Sequence, residues 1–314
     1  MVDWIRAVIR FRQGPRGPAP VATGLEECRR DQTALVGEIA QPGWRPADFE
    51  NGPASVVFLE LIAPTAEREE AARRAAAEHV ARSSGQMWRP GLSPHAPYTV
   101  PPAFFGELVA MARRYGLPIA FHIAESREEL QLLRDGSGPF RPFLEAIPGW
   151  RGDAIPRRSR PLDYLRAAAE APRALAIHGN YLDDEEVAFL AANARRVSLV
   201  HCPRTHARFG HERFPLDRML ASGVRVAIGT DSRASSPDLS MLAEWRFLVQ
   251  THPTIAPAKL LELTTLAGAE ALGEAERYGS LAPGKSATMA VLPLSDGDLR
   301  DPYEAILRSL DYQE

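Results

Sequence analysis

Cysteine is scarce in this chain of 314 residues, which contains only Cys28 and Cys202. Two cysteines cannot supply the disulfide framework of a small secreted domain, so a cytoplasmic location is expected. No apolar run reaches the roughly 18–20 residues that a membrane-spanning helix needs, and the N-terminus lacks the features of a signal peptide. The sequence therefore excludes a disulfide scaffold and predicts no membrane span.

Lysine is equally rare, with Lys259 and Lys285 among 37 basic residues, and the formal net charge is only −3. This balance provides no strong electrostatic field for a nucleic acid polymer or an anionic membrane. Hydrophobic residues make up 45% and charged residues 25% of the chain, close to the average of globular proteins. We therefore expect a globular protein whose partner is a small-molecule substrate, and a homodimer is compatible with this composition.

Short apolar runs alternate with helical stretches along most of the chain. The apolar runs predict seven strands, at residues 33–40, 55–62, 88–95, 117–124, 174–178, 197–201 and 224–230. The stretches between them predict helices at 1–12, 66–82, 102–115, 126–134, 161–170, 183–194, 215–222, 239–250 and 257–271. Continuous apolar strands that alternate with helices are typical of a parallel sheet covered on both faces.

This alternation favours an α/β fold of the (β/α)8 TIM-barrel type, which needs one strand more than the seven counted. Since the chain opens with a helix, we expect the absent strand to precede Met1. The alternative is an open doubly wound sheet, but no GxGxxG fingerprint of a dinucleotide-binding fold follows an early strand. Residues 135–160, rich in glycine and proline, predict an insertion or lid-like loop. Residues 279–294 predict a turn and a strand outside the alternation.

Histidine recurs where the predicted strands end. His95, His122, His178 and His201 lie at or near the ends of four successive strands, and Asp231 follows the last strand. Because catalytic groups of a barrel gather at the carboxyl ends of its strands, we expect these side chains to face one common site. A single histidine at such a place is more often a hydrogen-bonded core residue, but that explanation is weaker for five positions in succession.

The residue types at these strand ends suit a catalytic divalent metal ion, because imidazole nitrogen and carboxylate oxygen are its usual ligands. His122 and Asp231 are the best candidate ligands, and His178 either binds the metal or holds the water that it activates. Glu125, three residues after His122, can reach the same site without binding metal, which suits a general acid–base. The competing interpretation of Glu125 is a first-turn carboxylate favoured by the helix dipole.

Five short motifs occur in order along the chain: Ser93–Thr99 (SPHAPYT), His122–Glu125 (HIAE), 178–179 (HG), His201–Arg204 (HCPR) and Gly229–Ser232 (GTDS). Together they resemble the amidohydrolase superfamily, and within it the branch of cytosine deaminase, chlorohydrolase and adenosine-derivative deaminases. Asp3–Arg6 and His201–His206 are similar to segments of aminodeoxyfutalosine deaminase-like members. The tail Gly279–Lys285 resembles the return of that branch's chain into a small β-sandwich.

The resemblance implies metal-dependent hydrolysis of a non-peptide carbon–nitrogen bond, most simply the deamination of a purine- or pyrimidine-type cyclic amidine. It implies one divalent ion, zinc or iron, with His122 and Asp231 as ligands and His178 beside the activated water. Asp231 also accepts a proton in this scheme, and Glu125 matches the proton shuttle. The positions that match substrate contacts are His95, His206 and Ser232.

One part of the family pattern is missing from the sequence. The family's first strand carries a His-x-His pair that supplies two metal ligands, and no such pair occurs here; the nearest spacing is that of His201, His206 and His211. We therefore expect an N-terminally truncated member, with an incomplete barrel at 1–275 and a β-sandwich remnant and tail at 276–314. The metal ion is then expected in the intact protein and is in doubt for this chain.

Two further expectations follow from the missing strand. A chain that lacks two of four ligands should hold metal weakly and be inactive alone, and the unpaired edges at 33–40 and 224–230 should make it marginally stable. Two alternative functions stay open: a catalytically compromised homologue, and a hydrolase of the same fold that acts on a cyclic amide or a carbon–halogen bond.

Overall fold

A computed structural model describes residues 1–14, 20–82, 87–293 and 301–309. Its strands are Leu35–Ala40 (β1), Ala54–Leu61 (β2), Trp88–Pro94 (β3), Pro118–Ile123 (β4), Arg173–His178 (β5), Val197–His201 (β6) and Val226–Ile228 (β7). Every neighbouring pair is parallel, and the strand order in the sheet follows the chain from β1 to β7. The predicted α/β class and the seven parallel strands are confirmed.

Helices connect the strands and cover the sheet. They are Val2–Arg12 (α1), Val21–Arg30 (α2), Ala66–Val80 (α3), Pro102–Tyr115 (α4), Arg127–Asp135 (α5), Phe140–Glu145 (α6), Pro161–Ala168 (α7), Asp184–Ala192 (α8), Pro203–Arg208 (α9), Leu216–Ala221 (α10), Met241–Thr251 (α11), Pro257–Thr264 (α12), Leu266–Leu272 (α13) and Pro302–Arg308 (α14), with a 3-10 helix at Pro46–Phe49. Among the described helices, none has both the length and the apolar character needed to cross a bilayer.

The core lies on both faces of the sheet. The consecutive β2 residues Val56, Val57 and Phe58 are all buried. Because neighbouring residues of a strand point to opposite faces, their burial shows that β2 is covered on both sides. Large buried rings from the surrounding helices, such as Phe105 and Trp245, fill the space against the strands. This packing fixes the strand ends that carry the candidate site.

Residues 135–160 are more ordered than a simple loop. They contain α6, and Phe140 at its start is fully buried in a second, smaller apolar cluster with Val2 of α1 and Tyr98 after β3. The prediction of an insertion at this place missed a helix because six residues give too short a pattern to recognise amphipathic periodicity. The insertion thereby ties α1 to the end of β3.

The sheet is open within the described residues, since β1 pairs only with β2 and β7 only with β6. It nevertheless curls. In a flat sheet the ends of β4 and β7 would be about 14 Å apart, which is three strand spacings, yet the carboxylate of Asp231 after β7 acts to raise the pKa of Glu125 after β4. An eighth strand and closure into a barrel stay predictions.

The segment after α13 differs from the prediction. The strand expected within 279–294 is not found in its described part, 279–293, and residue 294 lies outside the described residues. Instead, the side chain of Gln32 donates to the carbonyl oxygen of Val291 at 2.9 Å and accepts from its N–H at 2.6 Å. Leu281 and Val291 are largely exposed, so nothing packs this segment as a strand. The β-sandwich remnant at 276–314, partly outside the described residues, stays a prediction.

Two smaller corrections concern the regular elements. The helix expected at 257–271 is two helices, α12 and α13, because Thr265 leaves the helical region with φ −126° and ψ −85°. The last strand, expected at 224–230, is confined to Val226–Ile228, since Gly229 and the residues after it already turn toward the candidate site.

Candidate active site

Three residues at the strand ends adopt left-handed backbone conformations. The φ angles are +49° at Ala124 after β4, +73° at His178 at the end of β5 and +58° at Asp231 after β7. A non-glycine residue at positive φ costs on the order of 1–3 kcal/mol, and such strain clusters at functional sites. The same conformation on three strands marks this edge of the sheet as the place where side chains are redirected.

Three imidazole rings lie in a row at this edge. The ring centroids of His95 and His122 are 5.1 Å apart, and those of His122 and His178 are 5.4 Å apart with nearly parallel planes. Nδ1 of His122 donates to the carbonyl oxygen of His95 at 3.0 Å. In the neutral ring Nε2 therefore keeps its lone pair, which is the arrangement found in metal-binding histidines.

Glu125 is the buried acid of this edge. Its carboxyl Oε1 lies 3.7 Å from Nε2 of His178. Burial raises the pKa of Glu125 to about 7, the His122 ring opposes this shift, and the charge of Asp231 adds to it. A carboxyl group with such a pKa can both hold and release a proton near neutral pH.

His178 is almost completely buried. Burial lowers its pKa, and the neighbouring carboxylate of Asp231 acts in the opposite direction. The ring is therefore neutral at neutral pH, with one nitrogen able to accept a hydrogen bond or bind a cation.

The carboxylate of Asp231 is fixed by two donors from its own loop. Oδ1 accepts from the N–H of Ser232 at 2.7 Å, and Oδ2 accepts from the hydroxyl of Ser235 at 2.7 Å. Ser235 is fully buried, whereas Ser232 is exposed at the rim. The loop after β7 thus supplies one oriented carboxylate and one accessible hydroxyl.

The predicted substrate contacts occupy different surroundings. His95 is part-buried, with Nδ1 2.7 Å from the hydroxyl of Thr99 and Nε2 4.0 Å from Glu60. His206 is buried, and its two ring nitrogens lie 3.0 Å from Asn180 Oδ1 and 2.6 Å from the carbonyl oxygen of Glu212. A substrate contact by His206 would require one of these contacts to break, whereas His95 needs no such change.

The side chain of His201, at the end of β6, packs in the core and not in the row of the other histidines. Its ring stacks on Phe214 with centroids 3.8 Å apart, and its buried Nδ1 has no hydrogen-bond partner. Of the five side chains expected to converge, the structure brings His95, His122, His178 and Asp231 to this edge and leaves His201 in the core beside them; Glu125 joins the four through its contact with His178.

A cavity of about 260 Å³ is lined in part by Ser126, the residue that follows Glu125 in the chain. Its lining residues are Met1, Ser126, Arg127, Glu128, Tyr181, Phe209 and His211. A larger cavity, of about 630 Å³, lies in the insertion around Trp150, far in sequence from every strand-end residue of the site. The smaller cavity is the better candidate for substrate because its lining begins at the residue after the buried acid Glu125.

This arrangement meets some of the requirements of a divalent cation. The donor types fit, since two neutral imidazoles and a carboxylate are typical zinc or iron ligands, and the orientation of His122 fits as well. The number of donors does not: in the described part of the chain, no three His, Cys, Asp or Glu side chains surround a point closely enough to hold a metal ion.

Sequence reasoning missed two polar residues that support the site, Glu129 and Asn180. Glu129 is buried and accepts from the backbone N–H groups of Ala124 and Glu125, and Asn180 donates to the carbonyl oxygen of Glu125. Glu129 has the spacing of a helix-capping glutamate after Ser126, so the sequence carried a signal for it. Nothing in the sequence indicates the contact of Asn180.

Comparison with known proteins relates the chain to one family. Residues 42–311 match the model of the amidohydrolase family. The 5-methylthioadenosine/S-adenosylhomocysteine deaminase of Pelotomaculum thermopropionicum is 33% identical over 219 residues, which cover 67% of this chain and 44% of the relative. The aminodeoxyfutalosine deaminase of Deinococcus radiodurans is 28% identical over 291 residues, covering 86% of this chain and 67% of the relative. The chain spans less than half of the length of the first of these relatives.

Solved structures share the fold. An adenosine deaminase from Xanthomonas campestris with bound zinc is 27% identical with a TM-score of 0.67, over 85% of this chain and 59% of that one. An aminofutalosine deaminase from Helicobacter pylori in complex with methylthio-coformycin is 21% identical with a TM-score of 0.75, over 91% and 70% of the two chains. The second likeness shows the fold alone.

Proposed function

Because this chain belongs to the amidohydrolase family, we propose that it hydrolyses a non-peptide carbon–nitrogen bond and releases ammonia from a purine- or pyrimidine-type cyclic amidine. The family resemblance expected from the motifs is thereby confirmed. The reaction remains our proposal because the chain spans 44% of the first relative.

The observation that carries the proposal is the placement of Glu125. This carboxyl group is buried, its pKa is raised to about 7, and it lies 3.7 Å from Nε2 of His178. Deamination of a cyclic amidine needs a group that gives a proton to a ring nitrogen and later to the leaving amine, and an acid with a pKa near the working pH is best suited to both transfers. The deaminase names of the relatives support the same reaction class.

We propose that His122, His178 and Asp231 would be among the ligands of one divalent ion, zinc or iron, in the intact protein, although the described side chains alone do not surround one point closely enough to hold it. When bound, such an ion lowers the pKa of water from about 15.7 toward about 7 and so supplies a nucleophile at neutral pH. Zinc is present in the structure of the Xanthomonas campestris adenosine deaminase, which supports zinc over iron as the first ion to test.

The chain's own residues then act in sequence. Asp231 accepts a proton from the attacking water, and the neutral ring of His178 orients that water. Glu125 protonates the ring nitrogen of the substrate as the water adds to the carbon that bears the amino group. Glu125, now ionised, takes the proton of the new hydroxyl group and delivers it to the amino group, so that ammonia leaves and the ring carbon becomes a carbonyl. The proton held by Asp231 then returns to Glu125 and restores the starting state.

Substrate is proposed to enter through the cavity that Ser126 lines in part. His95 and Ser232 present the accessible polar groups nearest to the strand ends, and they are the proposed substrate contacts. His206 is retained as a third proposed contact, on the condition that it releases Asn180 or Glu212.

A substrate panel tests the proposal. The chain is incubated with zinc and, in separate reactions, with aminopurine nucleosides, aminopyrimidines, cyclic amides and chloro-heterocycles, and released ammonia and chloride are measured together with ring opening. The proposal expects ammonia from an amino-heterocycle and from none of the other classes. Ring opening or chloride release without ammonia would contradict it and would favour an amide or carbon–halogen hydrolase.

The rival proposal is a catalytically compromised homologue, which the deaminase names of the relatives do not favour. Such a chain would retain no zinc after dialysis and would turn over none of the compounds. Zinc retention together with ammonia release excludes this alternative.

The proposal also covers the domains, the location and the partners of the protein. Residues 1–275 would form the hydrolase domain, and residues 276–314 a sandwich remnant and tail. Cys28 and Cys202 are both free and buried, which supports a cytoplasmic location. A small-molecule substrate is the proposed partner, and a homodimer is the proposed assembly to test.

A further inference from the structure

The carboxyl group of Glu129 is buried directly behind the turn that carries Glu125. Its Oε1 accepts from the N–H of Ala124 at 2.9 Å, and its Oε2 accepts from the N–H of Glu125 at 2.9 Å. Glu129 itself is 1% exposed, so water cannot replace it as the acceptor for these two donors. One side chain therefore satisfies two consecutive amides at the end of β4.

The carbonyl oxygens of Ala124 and Glu125 accept hydrogen bonds from residues that follow β5. The N–H of Tyr181 donates to the carbonyl oxygen of Ala124 at 3.2 Å, and Nδ2 of Asn180 donates to that of Glu125 at 3.0 Å. All four polar backbone groups of Ala124 and Glu125 are thus held between α5 and the residues that follow β5. Of these partners, Glu129 alone holds two of the groups.

This contact extends beyond ordinary helix capping. The N-cap of α5 is Ser126, whose hydroxyl accepts from the N–H of Glu129 at 3.2 Å. In a capping box, the glutamate at this position reaches back to the N–H of the N-cap residue. Glu129 instead bonds the amides of the two preceding residues, Ala124 and Glu125, where the backbone has left the strand.

We infer that Glu129 is a positioning residue, whose buried carboxyl group fixes the left-handed turn at Ala124 and thereby holds the carboxyl group of Glu125 beside His178. This inference rests on the proposed function, because it assigns to Glu129 the orientation of the proposed proton shuttle. Without the two bonds, the amides at 124 and 125 are buried donors without acceptors, and the turn relaxes to satisfy them.

Glu186 provides a matched control. It occupies the same third helical position in α8, is 2% exposed, and also accepts from two backbone N–H groups, those of Asp183 at 2.9 Å and Leu162 at 3.2 Å. Its contact with Asp183 is the normal capping box, and no residue of the candidate site belongs to that turn.

The test compares Glu129→Gln with Glu186→Gln in the full chain, with zinc and the best substrate of the panel. Each substitution turns one acceptor oxygen into an NH₂ group that faces a backbone N–H. We expect Glu129→Gln to lower kcat about a hundredfold, as for a displacement of about 1 Å in a reacting group, with KM within about threefold. Glu186→Gln should leave kcat within about twofold. An unchanged kcat in Glu129→Gln would overturn the inference.

Amide hydrogen exchange provides a readout that needs no activity. In Glu129→Gln, at least one of the amides of Ala124 and Glu125 should exchange at least about tenfold faster, because glutamine keeps only one of the two acceptor oxygens. In Glu186→Gln, the faster exchange should instead appear among the amides of Asp183 and Leu162. If the wild type releases no ammonia, the proposed function fails. Amide hydrogen exchange then tests the positioning role of Glu129 alone. Unchanged protection of the amides at 124 and 125 in Glu129→Gln would refute that role.

Discussion

Nε2 of His178 lies 3.7 Å from the carboxyl oxygen Oε1 of Glu125, and both side chains are buried where the neighbouring strands β4 and β5 end. The pairing arises from register, since Ile123 of β4 is paired with His178 of β5. Each side chain is then redirected by a left-handed residue, Ala124 in one case and His178 itself in the other. The proximity of an acid and a neutral imidazole therefore comes from strand pairing and two strained turns.

Zinc binding should depend on His122. We expect His122→Ala to weaken zinc affinity at least about tenfold, because its Nε2 is the proposed ligand atom and the hydrogen bond from Nδ1 orients it. The measurement is calorimetric titration with zinc at neutral pH. His252→Ala, which removes a buried histidine distant in sequence from the strand-end residues, serves as the control and should leave the affinity unchanged. Equal affinities in wild type and His122→Ala would remove His122 from the ligand set.

Gly179 should be intolerant of any side chain. Its φ is +59°, and a Cβ there would lie 2.5 Å from Cδ1 of Leu199, so Gly179→Ala combines backbone strain with overpacking. We expect a loss of about 2–4 kcal/mol in the free energy of unfolding, measured by urea denaturation. Gly210→Ala is the matched control: its φ is +67° but nothing lies within 4 Å of the added Cβ, so about 1 kcal/mol is expected. Equal losses in the two variants would show that the contact with Leu199 has no energetic effect.

Stability should depend on pH through Glu129. Burial raises its pKa from 4.5 to about 8, against the effect of its backbone donors, and the nearby Glu125 adds to the rise. The folded state therefore binds this proton more tightly than the unfolded state, so the contribution of Glu129 to stability is complete below about pH 4.5 and is lost as the pH rises toward 8.

Urea denaturation of wild type and Glu129→Gln at pH 5.5, 7 and 8 measures this contribution. Glutamine does not titrate, so the free energy of unfolding of the wild type relative to the variant should fall steadily between pH 5.5 and 8. A difference that stays constant, or that grows with pH, would show that the folded protein does not raise the pKa of Glu129.

Much of the fold could be predicted from the sequence because its periodic signals are strong. The helix expected at 102–115 is Pro102–Tyr115 as observed, since it has proline at its start, Gly116 at its end and a regular apolar face between them. The strands were equally clear where both faces are buried, as in β2. Short or irregular elements were not: α2, α6 and α9 have ten residues or fewer and give no periodic pattern that distinguishes them from loops.

The site could be predicted as a set of strand ends but not as a geometry. Placement at successive strand ends was sufficient to group His95, His122, His178 and Asp231, and the spacing of three residues from His122 added Glu125 to them. The separation of His201 from them, and the role of Asn180, depend on side-chain directions and tertiary contacts that no spacing along the chain encodes. The metal site is the clearest case, since the ligand types were evident while the described side chains do not assemble three of them at one point.

Ammonia release by wild type and Glu125→Gln tests the proposed role of Glu125 most directly. Both proteins are assayed with zinc and the same aminopurine nucleoside, with Glu186→Gln as a control for replacing a buried carboxyl group. The proposed role predicts that Glu125→Gln loses at least about a hundredfold in kcat while Glu186→Gln keeps wild-type turnover. Wild-type ammonia release from Glu125→Gln would contradict it.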